Sequence, residues 1–170
     1  PFVAIYSTFL QRAYDMLVHD IAVQKLPVIF MLDRAGLVGE DGPTHHGVLD
    51  LSYLSSIPGV VVAAPRNGEE LRHVMQTALE HEDGPFFIRY PKASAVINRK
   101  SIKSKAVEIG KWELLSEGKD IAIVAVGSMN PVADKAVKIL DAEGVKASYI
   151  DAKFIKPFDE DMLLSLMTSN

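Results

Sequence analysis

The first 90 residues alternate between short apolar runs and longer segments in which apolar residues recur every three or four positions. The runs are rich in branched side chains and too short for helices, so they predict buried strands at residues 2–6, 28–32, 60–64 and 86–89. The first periodic segment predicts a helix whose apolar stripe consists of Leu10, Ala13, Tyr14, Leu17 and Ile21. A second helix is predicted from the stripe Leu71, Val74, Met75, Ala78 and Leu79.

Strands and helices in this order predict an α/β fold with a parallel sheet and right-handed crossovers. In such a sheet the strands all end at the same edge, which is where open α/β sheets bind ligands. Four segments that are distant in sequence should therefore meet there: Tyr6, the loop 33–47, residues 65–66 and residues 89–90.

The same alternation begins again after residue 105. Residues 107–115 predict a half-exposed strand, and residues 121–126 and 147–150 predict further strands. Asn130 followed by Pro131 predicts the start of a helix that should end at Gly144. We therefore predict two partial α/β domains, at residues 1–95 and 106–170, joined by a polar and basic linker at 96–105. Besides Asn130, the predicted helix caps are Thr8, Asn67 and Asp159.

Composition narrows the class of protein. The chain has 170 residues, of which 48% are hydrophobic and 24% charged, and its formal net charge is −4. The absence of cysteine excludes disulfides and thiolate metal sites, and the lack of a basic block argues against nucleic acid as the main partner. No apolar run reaches the roughly 20 residues of a membrane span, and no signal peptide is visible. We expect a cytoplasmic protein. Because the chain opens inside a predicted strand, we also expect it to be a fragment of a longer one.

The loop 33–47 has an unusual composition for a surface connection. It contains four glycines, one proline, an arginine, acids and the pair His45 and His46. Histidine close to a carboxylate such as Asp41 can transfer protons near neutral pH. Asp33 and Arg34 lie next to the strand end, and we expect them to fix the loop rather than take part in chemistry. The two histidines alone do not predict a metal site, because the sequence suggests no third ligand.

Further candidate residues stand at the same predicted edge. Tyr6, Phe9, Arg12 and Arg89 all belong to segments that end or begin there. Arginines near a helix start suit a phosphate or carboxylate, because the guanidinium pairs with two oxygens at once. These residues suggest an enzyme that acts on a small anionic metabolite. Simpler explanations remain open at this point: Phe9 as a core aromatic residue, and Arg12 as a solvated partner of Asp15.

Several longer motifs are more specific than any single residue. They are YSTFLQRAYD at residues 6–15, DRAGLVG at 33–39, DGPTH at 41–45, RYP at 89–91, IGK at 109–111 and KFIKP at 153–157. Together they closely resemble the 1-deoxy-D-xylulose-5-phosphate synthase family, thiamin-diphosphate enzymes related to transketolase. The likeness extends over essentially the whole chain.

This resemblance implies a fold and a reaction. Residues 1–95 would be the later part of the domain that binds the pyrimidine ring of the cofactor, and residues 106–170 would begin a C-terminal domain of the transketolase type. The enzyme would be a transferase that decarboxylates pyruvate and joins the two-carbon unit to D-glyceraldehyde 3-phosphate. The product, 1-deoxy-D-xylulose 5-phosphate, would serve isoprenoid precursor, thiamin and pyridoxal biosynthesis.

The resemblance also implies roles for individual residues. Phe9 would stack on the aminopyrimidine ring, and Tyr6, Arg12 and Arg89 would hold the substrate phosphate. Asp41 and His45 would be the catalytic residues, lining the pocket near the thiazolium and the substrate hydroxyls. We assign no metal ligands, because the family holds Mg²⁺ and the cofactor diphosphate in its N-terminal domain. The activating glutamate also lies upstream, so we expect this chain alone to be inactive, to need the missing N-terminal portion and to act within a homodimer.

Two other interpretations remain from the sequence. The chain could belong to another thiamin-diphosphate enzyme, either transketolase itself or the β subunit of a 2-oxoacid dehydrogenase. It could also be a non-catalytic binding or assembly module that retains the pocket residues by descent only.

Overall fold

The computed structural model describes residues 1–95 and 103–169. Within these residues, eight strands form two sheets: β1 Phe2–Tyr6, β2 Ile29–Asp33, β3 Val61–Ala63, β4 Phe86–Arg89, β5 Glu113–Ser116, β6 Ile121–Ala125, β7 Ala147–Asp151 and β8 Phe154–Lys156. The first sheet has the order β1-β2-β4-β3-β8 and the second has the order β5-β7-β6. In the first sheet β1, β2, β4 and β3 are parallel, which confirms the predicted α/β fold.

The helices connect these strands. The first helical segment is α-helical at Ser7–Leu10 (α1), 3₁₀ at Gln11–Ala13, α-helical at Tyr14–Met16 (α2) and π-helical at Leu17–Ala22. The helices that follow in the described ranges are α3 Asp50–Ser56, α4 Gly68–Glu80, α5 Asn130–Ala142 and α6 Glu160–Ser169. None of the helices within the described part of the chain is both long and apolar enough to span a lipid bilayer.

The parallel sheet separates two clusters of buried side chains. Leu10, Leu32 and Leu54 belong to the cluster on the face covered by α1 and α3, while Val74, Ile88 and other apolar residues form the cluster under α4. Both faces of the sheet are therefore covered, as expected for parallel strands that consist of continuous apolar residues. The strand ends of β1, β2 and β4 remain at a common edge, because the register pairs Tyr6 with Asp33 and Leu32 with Arg89.

The second half of the chain docks onto the first through β8. This strand pairs antiparallel with β3 and was not predicted, since three residues after a buried strand carry little pattern. The predicted strand 107–115 is shorter than expected and forms only at Glu113–Ser116. Residues 96–102 of the predicted linker lie outside the described residues.

Two predicted helix caps are wrong for the same reason. The Thr8 hydroxyl donates to the carbonyl of Thr44, at 3.3 Å, instead of capping α1. Asn130 is the first residue inside α5, and its side-chain amide donates to Asp151 and to the carbonyl of Gly127. In both cases a tertiary hydrogen bond replaces the local one. Asn67 does cap α4, accepting from the backbone amides of residues 69 and 70.

A group of charges, some buried and some partly exposed, connects the two halves. Arg66, after β3, contacts Asp151 at 2.8 Å and Glu113 at 2.9 Å. Lys153 contacts Glu70, on α4, at 2.8 Å and Glu113 at 3.0 Å. We call these five residues the interdomain network. Because Arg66 and Glu70 belong to the first half and the other three to the second, the network fixes the two halves to each other.

Candidate functional site at the edge of the parallel sheet

The loop 33–47 is closed by a pair of backbone hydrogen bonds. Gly36 and Gly47 donate to each other's carbonyl groups, at 2.8 and 2.9 Å. Between them the chain makes two 3₁₀ turns, Gly39–Asp41 and Pro43–His45. The second turn is held against α1 by the Thr8 hydroxyl, which donates to the carbonyl of Thr44. The loop therefore has a defined shape at the edge where β2 ends.

Gly47 lies where no side chain fits. A Cβ atom there would come within 2.5 Å of the Ser7 hydroxyl oxygen and 2.6 Å of the carbonyl oxygen of Arg34. Real Cβ contacts are longer, so only glycine permits this approach between the base of the loop and the start of α1. The absence of a side chain at residue 47 thus lets the end of the loop pack against Ser7 and the backbone of Arg34.

Three aromatic rings, two from the end of β1 and α1 and one from the loop 33–47, lie next to one another. The rings of Tyr6 and Phe9 are stacked, with centroids 5.2 Å apart and planes 9° apart. The His45 ring approaches Phe9 edge-on at 5.4 Å and Tyr6 at 6.3 Å. The guanidinium of Arg12 lies over the Phe9 ring at 5.5 Å. Four of the predicted site residues, Tyr6, Phe9, Arg12 and His45, are therefore adjacent.

A second group of contacts joins Asp41 to the aromatic cluster. Arg34 lies over the Tyr6 ring at 3.9 Å and donates from Nε to Asp41 at 3.0 Å. Its Nη1 donates to Asp33 at 2.8 Å, and Lys92 donates to the other oxygen of Asp41 at 2.7 Å. The hydrogen bonds from Lys92 and Arg34 hold the pKa of Asp41 below its ordinary value. Asp41 therefore stays a carboxylate at neutral pH and accepts hydrogen bonds.

Arg89 occupies a different environment from the other predicted site residues. Its Nε donates to Asp50 at 2.8 Å, and the two side chains are 12% and 0% exposed. No contact between described residues joins Arg89 directly to Tyr6 or Arg12. The structure thus brings Arg89, at the end of β4, to the same edge of the sheet. Its side chain is paired there with Asp50, the first residue of α3.

Three residues around the site were not singled out from the sequence as pocket residues. Arg34 was expected only to fix the loop, and Lys92 and Asp50 were not considered. The tertiary contacts that make them notable connect positions 39 and 51 residues apart, so no local pattern reveals them. A charged residue shortly after a strand end was the available signal, one position beyond β2 for Arg34 and three positions beyond β4 for Lys92.

A cavity of about 630 Å³ opens beside the loop, between the two halves of the chain. Its wall is mainly apolar. Asp33, Arg34 and Lys92 from the site described above line it, together with Tyr90, the residue that follows β4. Burial raises the pKa of Tyr90, and the charge of Asp33 adds to this effect, so the Tyr90 phenol stays protonated. The cavity gives the site a route toward the second half of the chain.

The carboxylates of the interdomain network do not suit a metal ion. Glu70, Glu113 and Asp151 offer oxygens within 4.8 Å of one another, a spacing found in metal sites. Arg66 and Lys153 already lie among these oxygens at 2.8–3.0 Å. A cation at the same place would be repelled by both, so the cluster is better described as a buried ion-pair network.

Comparison with protein families places both halves of the chain. Residues 1–96 match the pyrimidine-binding domain of transketolase, and residues 110–170 match the transketolase C-terminal domain. A split-gene transketolase, solved as an inactive β4 tetramer, superposes with a TM-score of 0.87 at 32% identity, over 100% of this chain and 54% of that one. A transketolase from Pichia stipitis has the same fold, with a TM-score of 0.80 at 24% identity, over 97% of this chain and 25% of its own.

Curated relatives are more similar in sequence. A 1-deoxy-D-xylulose-5-phosphate synthase from Thermomicrobium roseum is 51% identical over 164 residues, which are 96% of this chain and 26% of the relative. Another, from Dictyoglomus thermophilum, is 48% identical over 170 residues, or 100% of this chain and 27% of the relative. The chain thus spans about a quarter of the length of these relatives. It belongs to the transketolase family, and its similarity to 1-deoxy-D-xylulose-5-phosphate synthases confirms the resemblance seen in its motifs.

Proposed function

We propose that the full-length protein containing this chain is a thiamin-diphosphate-dependent transferase that forms 1-deoxy-D-xylulose 5-phosphate and CO₂ from pyruvate and D-glyceraldehyde 3-phosphate. One observation carries the proposal: the rings of Tyr6, Phe9 and His45 meet at the ligand-binding edge of the sheet. The names of the relatives support the choice of substrates.

The residues of the site fit the pyrimidine half of the cofactor. The Phe9 ring is only partly buried, and the Arg12 guanidinium that lies over it belongs to an exposed residue. A flat aminopyrimidine ring can take the place of that guanidinium and stack on Phe9. The buried atoms Ser7 Oγ and Asp33 Oδ1 have no hydrogen-bond partner among the described residues, which fits a site that a polar group from outside completes.

The acids of the site do not fit the diphosphate and its Mg²⁺. Asp33 and Asp41 are paired with Arg34, and Asp50 is paired with Arg89. Carboxylates that already neutralise arginines are poor ligands for a hard divalent cation. We therefore propose that the metal and the diphosphate are held by the part of the protein outside this chain, and that the chain alone does not turn over.

The proposed roles follow from the contacts. Thiamin diphosphate, when bound, supplies the group that takes up pyruvate and stabilises the negative charge left by the loss of CO₂. Asp41, kept ionised by Lys92 and Arg34, accepts hydrogen bonds from substrate hydroxyls. His45 donates or accepts a proton at its ring, within reach of the same pocket. Tyr6, Arg12 and Arg89 hold the substrate phosphate, so that binding energy away from the reacting carbon orients the aldehyde.

A direct assay tests the proposed reaction. The purified full-length protein, supplied with thiamin diphosphate, Mg²⁺, pyruvate and D-glyceraldehyde 3-phosphate, is expected to release CO₂ and 1-deoxy-D-xylulose 5-phosphate in equal amounts. Omission of either substrate is the control. Failure to form the sugar phosphate under these conditions would sink the proposal.

Cofactor binding can be tested separately from turnover. Calorimetric titration of the full-length protein with thiamin diphosphate and Mg²⁺ should give heat that depends on the cofactor, whereas a non-catalytic module would give none.

We further propose that the enzyme acts in the cytoplasm as a homodimer, in the supply of isoprenoid precursors, as the resemblance to its family implies. Sedimentation of the full-length protein tests the dimer.

A further inference from the structure

Asp50 is a buried carboxylate whose two oxygens both have a defined partner. Its side chain is 0% exposed. Oδ1 accepts from the backbone amide of Leu51 at 2.9 Å, and Oδ2 accepts from Nε of Arg89 at 2.8 Å. Asp50 is also the first residue of α3, three positions after Gly47 closes the loop. The carboxylate is therefore fixed in orientation, by a helix amide on one side and by a guanidinium on the other.

Arg89 is fixed through one nitrogen only. Its bond to Asp50 uses Nε, and among the described residues its Nη1 and Nη2 make no hydrogen bond. A guanidinium binds a phosphate best through two nitrogens that lie along one edge of the planar group. With Nε engaged from the protein side, the two remaining nitrogens are available together for an anion at the sheet edge.

We propose that Asp50 is a positioning residue, which holds the guanidinium of Arg89 so that its Nη nitrogens face the phosphate of the aldehyde substrate. The inference rests on the proposed function, in which Arg89 binds that phosphate. Asp50 touches neither substrate nor cofactor and acts only through Arg89. It also ties the end of the loop 33–47 to β4, because it begins the helix that follows this loop.

A purely structural ion pair makes a different prediction from a positioning one. If the pair only joined α3 to β4, its loss would lower stability and affect both substrates alike. If Asp50 orients Arg89, its loss affects the binding of the phosphorylated aldehyde and leaves pyruvate unchanged, because pyruvate carries no phosphate. The two KM values of one enzyme therefore separate the two explanations.

The test uses the full-length enzyme and the variant Asp50→Asn, which keeps the size of the side chain and one acceptor oxygen. We expect the KM for D-glyceraldehyde 3-phosphate to rise about 10- to 100-fold, the usual worth of one charge-assisted hydrogen bond. The KM for pyruvate should stay at the wild-type value. The double variant Asp50→Asn/Arg89→Met should be no worse than Arg89→Met alone.

Asp159→Asn is the matched control. Asp159 is 4% exposed, and it too accepts hydrogen bonds from backbone amides and contacts a cation, Lys111, but in the second half of the chain. It should lose thermal stability with both KM values unchanged. Equal changes of the two KM values in Asp50→Asn, or additive effects in the double variant, would overturn the positioning role.

Two further outcomes are informative. If Asp50→Asn does not fold, Arg89→Lys makes the same test. Lysine has a single nitrogen, so it cannot bond Asp50 through one nitrogen and present two others side by side to the phosphate, and the KM for the aldehyde should rise with pyruvate unchanged. An unchanged aldehyde KM in that variant would overturn the inference.

A wild-type enzyme that forms no sugar phosphate would overturn the proposed function and this inference together. If the wild type is active but the variant changes the KM values of both substrates alike, only the inference is overturned.

Discussion

His45 contacts several parts of the site through one ring. Its edge faces Phe9, its ring is 6.3 Å from that of Tyr6, and its Nδ1 lies 3.0 Å from the hydroxyl of Thr44. A histidine held in this way has Nδ1 engaged by its neighbour, and no hydrogen bond within the described part of the chain uses its Nε2. This geometry suits a group that transfers a proton and does not carry the cofactor.

His45→Ala should therefore lower kcat of the full-length enzyme by about 10²-fold or more, the usual contribution of a general acid or base. The dissociation constant for thiamin diphosphate, measured by calorimetry, should change little. The control is His19→Ala, since His19 is an exposed helix residue paired with Asp15. A large loss of cofactor affinity in His45→Ala would make His45 a cofactor-binding residue instead.

Glycine at residue 47 shows how one residue sets the geometry of a larger element. The loop 33–47 closes through paired bonds between Gly36 and Gly47, and residue 47 packs directly on Ser7 of α1. Gly47→Ala should lower the free energy of unfolding by about 1–3 kcal/mol, because the added methyl group collides with a hydroxyl and a backbone carbonyl. It should also raise the KM of both substrates by displacing the loop.

The measurement is thermal or urea unfolding together with steady-state kinetics. Val48→Ala is the neighbouring control, because Val48 is 54% exposed and its truncation leaves the loop base intact. A Gly47→Ala variant as stable and active as the wild type would show that the loop base can shift without consequence.

The start of α4 gives a simpler prediction at the scale of one element. Asn67 Oδ1 accepts from the amides of Glu69 and Glu70, at 3.1 and 2.9 Å. Asn67→Ala leaves those amides without their acceptor and should destabilise the protein by about 0.5–2 kcal/mol, whereas Asn67→Asp should retain most of the stability. Urea unfolding measures both. Equal losses in the two variants would argue that the packing of residue 67, and not its capping bonds, stabilises the helix.

Whether a cap could be predicted depended on what else the residue could reach. The side-chain hydrogen bonds of Asn67 within the described residues are both to its own helix, so the local pattern was sufficient. Thr8 and Asn130 carry equally good local signals, yet Thr8 donates to Thr44 and Asn130 donates to Asp151. Those partners are 36 and 21 residues away, and nothing in a short window of sequence indicates them.

The contacts of the candidate site likewise include some that the sequence predicts and some that it does not. The meeting of Tyr6 with the loop follows from parallel strands alone, because register places β1 and β2 side by side. The stacking of Arg34 on Tyr6 and the burial of Asp50 under Arg89 depend on side-chain directions that the strand pattern does not determine. The pattern thus identifies the edge of the sheet, and the tertiary contacts decide which charges pair within it.

At the scale of the whole molecule, the interdomain network combines residues as far apart as Arg66 and Asp151. It contains three carboxylates and two cations, so full ionisation leaves one unbalanced negative charge in a buried place. Burial, followed by the charge of Glu70, raises the pKa of Asp151 to about 7. Partly buried Glu113 is the opposite case, because hydrogen bonds from Arg66 and Lys153 hold its pKa below the ordinary value.

The raised pKa of Asp151 has a defined effect on stability. The group changes from an ordinary value of 3.8 when unfolded to about 7 when folded, so the folded protein binds this proton more tightly. The stabilisation is fully present below the unfolded value and is lost as the pH rises through the folded one. Asp151→Asn has no proton to lose at this position. The melting temperature of the variant minus that of the wild type should therefore increase as the pH is raised from about 5 to about 8.

Differential scanning calorimetry of both proteins over this range makes the comparison, with Asp134→Asn as the control. Asp134 is a half-exposed carboxylate paired with Lys138 one helical turn away, so its variant should follow the wild-type pH dependence. Parallel curves for Asp151→Asn and the wild type would mean that another group of the network carries the proton. A gap that widens with pH would instead show that the folded protein loses stability as Asp151 loses its proton. The expected reason is that Arg66 and Lys153 cannot balance three charged carboxylates.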